Sequence, residues 1–293
     1  MNNTIDNRLT FFLISTSHLE DKIWFKDEQD FIAGMNLVAV AAVVCEATVL
    51  NFILMSNHVH FVLQASREKA THFIDYYKLL YSKYFHERYG VLKLLRGNTT
   101  DFRPLEDTEA VCNAIAYVQM NCVAANICVH PTQYPWGCGG LFFNVHITDE
   151  GSLLGDLSLR AQHRLLHSKI HLPSDYRITA KGYINPASFV AFGFVESLFR
   201  TPQRFQYYLS KSTKAKNRLA TDATPSFRDQ VILSGVADLC CSLFRKTSFD
   251  ELNEEEKAEM LKQLRYRFSA DMAQLSRVTG IPYSEACHLI DSY

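Results

Sequence analysis

Apolar and polar positions change their period several times along the chain, and the changes outline a first half of alternating strands and helices. Leu9 to Thr16 is a short apolar run that predicts a strand, and Asp30 to about Val43 is apolar over a length that suits a helix. Thr48 to Met55 and Val59 to Leu63 are again apolar and rich in β-branched residues. Ser56-Asn57 between them supplies turn chemistry, so the pair predicts two strands joined by a turn or bulge. Ala70 to about Arg88 predicts a helix rich in tyrosine, with Tyr76, Tyr77, Tyr81, Tyr84 and Tyr89 in or beside it. Gly90 to Pro104 reads as loop or strand. Asp107 to about Cys128 lacks Gly and Pro and reads as a further helix, with Asp107 or Thr108 as its N-cap. Elements in this order predict an α+β fold with a mainly antiparallel sheet.

The second half is less patterned. Gly137 to Gly140 and the polar stretch through Gly155 mark a boundary. Residues 156–212 read as helical around a loop at Pro173 to Pro186, and Lys214 to Pro225 reads as a linker. An acidic segment, Asp250 to Glu259, is followed by a helix, by Met272 to Pro282, and by a last helix through Ile290. Ser276 and Gly280 at i and i+4 resemble a helix-turn-helix. The second of these helices offers Glu285, His288 and Asp291 rather than the Arg, Lys, Asn or Gln that usually meet base edges, so a packing or oligomerisation unit is expected. Three stretches follow: 1–145, 146–220 and 221–293.

Composition narrows the class. At 293 residues and 47% hydrophobic, the chain can bury a large core. Its longest apolar run, Leu37 to Cys45, is too short for a bilayer, and the polar start, Met1 to Asp6, lacks a signal-peptide core. A cytoplasmic protein without a membrane partner is expected. The cysteines show no C-x-x-C spacing and lie mostly in apolar runs, which suits reduced core residues rather than a zinc site.

Chemistry concentrates in Met55-Ser56-Asn57-His58-Val59-His60. Side chains at i and i+2 of a strand share a face, so His58 and His60 can converge on one ion while Val59 points into a core. Taken alone, the pair equally suits two half-exposed strand residues bonded to neighbours. On the later helix, Tyr117 and Asn121 form an i, i+4 pair. That places a phenol beside an amide oxygen able to complete a metal site.

The run "FILMSNHVHFVLQ" resembles the HUH motif of the single-tyrosine transposases, especially the REP-associated tyrosine transposases and their insertion-sequence relatives. That family reads Met-Pro-Asn-His-Val-His, then Tyr-Ile-x-x-Asn-Pro-Val on a later helix, then Asp-Tyr-Pro-Trp-Ser. Here the corresponding residues are Met55 to His60, Tyr117 to Val123, and Gln133-Tyr134-Pro135-Trp136-Gly137. Ser56 and Cys122 stand where the family has proline. The resemblance implies a ferredoxin-like HUH domain over roughly residues 5–140, Tyr117 as nucleophile, and His58, His60 and Asn121 as ligands of Mg²⁺ or Mn²⁺. It also implies nicking of single-stranded or hairpin DNA through a 5′-phosphotyrosine, by a homodimer.

A net charge of −1 does not itself point to nucleic acid, but its distribution does. Ser197 to Ala220 holds no acid, and Arg200, Arg204, Lys211, Lys214, Lys216 and Arg218 alternate there with Phe199, Phe205, Tyr207 and Tyr208. Cations interleaved with rings suit single-stranded DNA, and equally a solvated basic loop. Lys93, Arg96 and Arg103 form a smaller cluster between the motifs. Two other classes remain open: a domesticated relative that binds hairpins without turnover, and an unrelated Zn²⁺ hydrolase, which would need a third His or acidic ligand.

Overall fold

In the computed structural model, which describes residues 10–16, 23–91, 100–125, 127–144, 151–217, 229–268 and 270–292, the first half follows the predicted order. β1 spans Thr10–Ser15, α1 Glu28–Val44, β2 Thr48–Leu54, β3 Val59–Ala65, α2 Arg67–Tyr89, β4 Asp101–Leu105 and α3 Thr108–Gln119. The four strands form one sheet in the order β2-β3-β1-β4, antiparallel at every pairing. The chain is thus α+β, with a helical C-terminal region.

Alternation along β3 decides what each sheet face carries. Phe61 turns to α2, where its ring meets Phe73 at 5.1 Å and Tyr77 at 5.4 Å. His60 turns the other way and meets Tyr117 of α3. α2 and α3 therefore cover opposite faces. α1 is capped by Asp27, whose side chain accepts from the Asp30 amide, and it is apolar almost all round because it is buried on several sides. The α1–α2 contact is fixed by the fully buried Asp30, which accepts from Tyr84, Tyr89 and Arg88. Tyr77, Tyr81 and Tyr84 are buried core residues, so their rings pack the protein and cannot stack on a base.

α2 ends at Gly90, whose φ of 70° is the left-handed conformation that a glycine adopts without strain. The outer edge of β2 is covered rather than open. Leu54 N–H donates to Trp136 O, and Cys138 N–H donates to Phe52 O. Gly137 sits between them because a Cβ there would lie 2.5 Å from Phe52 O.

The helix expected from Asp107 to Cys128 is interrupted. α3 stops at Gln119, Met120 leaves helical geometry, and a short α4, Asn121–Ala124, follows. Further on, β5 (Ser152–Leu153) pairs with β6 (Arg177–Ile178), the latter lying in the expected loop. α5 spans Leu159–Leu166, α6 Phe192–Phe199 and α7 Pro202–Asn217. α7 continues through Lys214 and Lys216, which the sequence suggested as linker, although their side chains lie outside the description.

Among the described residues the core has three parts. Val195, Phe199, Phe205, Tyr208 and Leu209 of α6 and α7 join the core of the sheet unit. Leu154, Leu166, Ile178 and Ile184 pack on the outward side of α1 at Ala39 and Val40. The last four helices, α8 (Asp229–Phe244), α9 (Glu254–Phe268), α10 (Met272–Thr279) and α11 (Tyr283–Ser292), bury their own cluster, to which Ile23 of the sheet unit also belongs. α10 and α11 meet across a turn at Gly280. Among the described residues no helix is long and apolar enough to cross a membrane.

Candidate active site

β2 and β3 are joined by the tightest kind of hairpin. Met55 N–H donates to His58 O, which leaves Ser56-Asn57 as the two turn residues. The turn is held from outside, because Trp24 and Phe25 N–H both donate to Ser56 O at 2.8 and 3.1 Å. His58 immediately precedes β3 rather than lying within it, yet its ring still reaches His60, with centroids 4.9 Å apart and planes nearly perpendicular.

Each ring is oriented through Nδ1. In His58 this nitrogen lies 2.8 Å from Asn57 Oδ1, an acceptor only, so Nδ1 is the donor of this bond. In His60, which is 2% exposed, Nδ1 lies 2.7 Å from the Ser15 hydroxyl. Ser15 faces His60 directly across the β1–β3 ladder. Such outer partners fix ring orientation in metal sites.

Tyr117 meets His60 edge-on, with ring centroids 5.5 Å apart. Burial raises its phenol above the ordinary value of 10, so at neutral pH it is protonated. Its helix is positioned by buried amides. A register shift in β2 between Val49 and Asn51 accompanies an Asn51 directed at α3, where it donates to Ile115 O at 3.0 Å. Gln119 in turn donates to Asn51 Oδ1 at 3.2 Å and to Cys138 O at 2.9 Å. Asn121 is brought to the same cavity, but from the start of α4 rather than from a continuous helix. Its Nδ2 donates back to Tyr117 O at 2.8 Å, so a ligand role falls to Oδ1.

His58, His60, Tyr117 and Asn121 line one cavity of about 400 Å³. Phe31 and Trp136, stacked with centroids 4.9 Å apart, form part of its apolar wall. A further wall, marked by no sequence motif, comes from the C-terminal helices through Asp229, Gln230, Asp271, Gln274 and Arg277. Asp229, almost wholly buried, accepts from Ser56 Oγ at 2.6 Å, from Gln274 Nε2 at 2.8 Å and from Arg277 Nε at 3.1 Å. Gln230 Nε2 adds a bond to Phe25 O at 2.6 Å. Strand pairing could have pointed to Ser15, whereas no local pattern marks Asp229 or Arg277. Among the described residues no three His, Cys, Asp or Glu side chains come together as a metal cluster, so a third protein ligand here rests on Asn121.

The basic residues divide. Arg103, exposed on the edge strand β4, borders a groove of about 640 Å³ that reaches the other side of Tyr117, but Asp101, Asp107 and Glu109 border it too. Arg200, Arg204 and Lys211 are exposed, and Lys211 lies 3.7 Å from Glu109. The rings between them do not form a stacking platform. Phe199, Phe205 and Tyr208 are buried, leaving Tyr207 exposed. Lys93, Arg96 and Arg218 lie outside the described residues.

Comparison with known proteins adds no relative, since no family model matches the chain and neither the curated proteins nor the solved structures hold a match.

Proposed function

We propose that this protein nicks and rejoins single-stranded or hairpin DNA through Tyr117, with Mg²⁺ or Mn²⁺ held by His58, His60 and Asn121. The observation that carries this reading is the edge-on contact of His60 with Tyr117, in a cavity that His58 and Asn121 also line. The βαββαβ order of the sheet unit is that of a ferredoxin-like fold, which supports an HUH-type transposase domain. The donor set fits a loosely held ion: it is neutral, and both imidazoles are anchored through Nδ1. When bound, such an ion polarises the scissile phosphate.

The remaining steps belong to the chain. Tyr117 Oη forms a bond to phosphorus while the bond to the 3′ oxygen of the preceding nucleotide breaks. The phenol gives up its proton and the departing oxygen takes one, leaving a 5′-phosphotyrosine and a 3′-hydroxyl. The reverse attack rejoins the strand. The test is incubation with Mn²⁺ and single-stranded hairpin oligonucleotides, followed by mass-spectrometric mapping of any adduct that survives denaturation. An adduct on Tyr117, absent from Tyr117→Phe and with chelator, is expected. An adduct on another tyrosine overturns the assigned nucleophile, and tight hairpin binding without any adduct replaces nicking by hairpin recognition alone.

A further inference from the structure

We infer that the C-terminal helices supply a phosphate-binding residue to this cavity, Arg277, held in place by Asp229. The inference rests on the DNA reading for its substrate, and it adds a group that lies outside the histidine and tyrosine motifs. Among the described residues that line the cavity, Arg277 is the only Lys or Arg. The other groups that would meet a phosphodiester, His58, His60 and Asn121, form a neutral set. A site built for a phosphate whose charge grows during attack gains most from a fixed cation.

The geometry suits that role. Arg277 places Nε and Nη2 at 3.1 and 3.3 Å from the two oxygens of Asp229, and among the described residues it makes no other hydrogen bond that is seen. A guanidinium has five N–H donors, so Nη1 and the second Nη2 proton remain for a ligand. Its side chain is only 17% exposed, which orders the group without sealing it off. Asp229 has further partners in Ser56 Oγ and Gln274 Nε2, and it begins α8, where the helix dipole favours an anion. Ser56 lies two residues before His58, so the carboxylate links the histidine turn to the guanidinium. Asp271, the other acid on this wall, caps α10 by accepting from Gln274 N–H.

Full-length protein carrying Arg277→Gln, Arg277→Lys, or Asp229→Asn together with Arg277→Gln is compared with wild type. Binding of a fluorescent hairpin oligonucleotide is followed over a range of salt, the single-turnover adduct rate is measured with Mn²⁺, and thermal melting checks the fold. Removing the cation is expected to flatten the dependence of log affinity on log salt by about one unit and to slow adduct formation about 10²-fold. Arg277→Lys should restore the slope but only part of the rate, since an ammonium keeps the charge and loses the fork. A structural ion pair would move the melting temperature and leave the salt slope alone. The double variant removes both buried partners at once, so it reports on the phosphate role even where Arg277→Gln alone fails to fold. Wild-type slope and rate in a folded variant that lacks Arg277 overturn the inference. A wild-type protein that binds the oligonucleotide without forming an adduct overturns nicking alone, and the salt slope still decides Arg277. One that does not bind at all overturns both.

Discussion

The β2–β3 hairpin and the first turn of α8 border the same cavity, yet they reach it by different routes. His58 and His60 are two residues apart, one just before β3 and one within it, and that closeness along the chain is enough to bring their rings together. Ser56 and Asp229 are 173 residues apart, and only the docking of one folded unit on another lets them share a hydrogen bond. Local periodicity can therefore bring out the histidines of a cavity while leaving unseen the part of its wall that the C-terminal helices build. The two regions also differ in what holds them. The sheet unit has a large aromatic core, whereas the C-terminal helices bury a smaller, mostly aliphatic cluster and meet the hairpin through a charged network at Asp229.

Breaking that network is expected to give the largest effect. Asp229→Ala leaves Arg277 without its buried partner, at a cost of about 3–5 kcal/mol. Both tryptophans, Trp24 and Trp136, are buried in the sheet unit. In a denaturant titration the helical signal at 222 nm should thus be lost before tryptophan fluorescence changes. Coincident transitions in the variant would mean that the two regions unfold as one.

Ser15→Ala sharpens the comparison from the other side. It removes the hydroxyl that orients His60 and touches nothing in the C-terminal helices. Mn²⁺ affinity, followed by titration calorimetry, should fall about 10- to 100-fold with the early helical transition unchanged. Equal affinity would show that His60 does not depend on Ser15 for its orientation.

The smallest effect is expected above pH 10. Burial raises the phenols of Tyr77, Tyr81 and Tyr84 above their ordinary value of 10, and for Tyr81 and Tyr84 the charge of Asp30 adds to it. The folded state thus keeps protons that the unfolded chain releases near pH 10. The stability that these groups contribute is complete below that pH and falls as pH rises above it. Tyr266 and Tyr283, the described tyrosines of the C-terminal helices, are exposed. Loss of tryptophan fluorescence should accordingly shift to lower denaturant above pH 10, while the early helical transition moves less.

Much of the first half was legible because its signals are local. Asp107 caps α3 by accepting from Ala110 N–H, as its position before an apolar run suggests. Val59 is fully buried while His60 meets Tyr117, as alternation requires. The break at Met120 was not legible. Asp107 to Cys128 contains no Gly or Pro, and the interruption accompanies Gln119 bonding to Asn51 and Cys138, partners from other parts of the chain. The aromatic residues after Ser197 misled for a related reason. Alternating rings and cations look alike in sequence whether the rings face solvent or a core, and here α7 turns Phe205 and Tyr208 inward.

By itself the sequence determined the order of strands and helices in the first half, a turn or bulge before the histidines, and that His58 and His60 stand close enough to share one ion. All of these follow from backbone periodicity and from residues within one turn of each other. Only the tertiary structure decided that Tyr117 stands against His60, that Ser15 orients that ring, and that Asp229 and Arg277 complete the wall. Those contacts join side chains from separate elements, and they exist only because apolar burial elsewhere sets where each element lies.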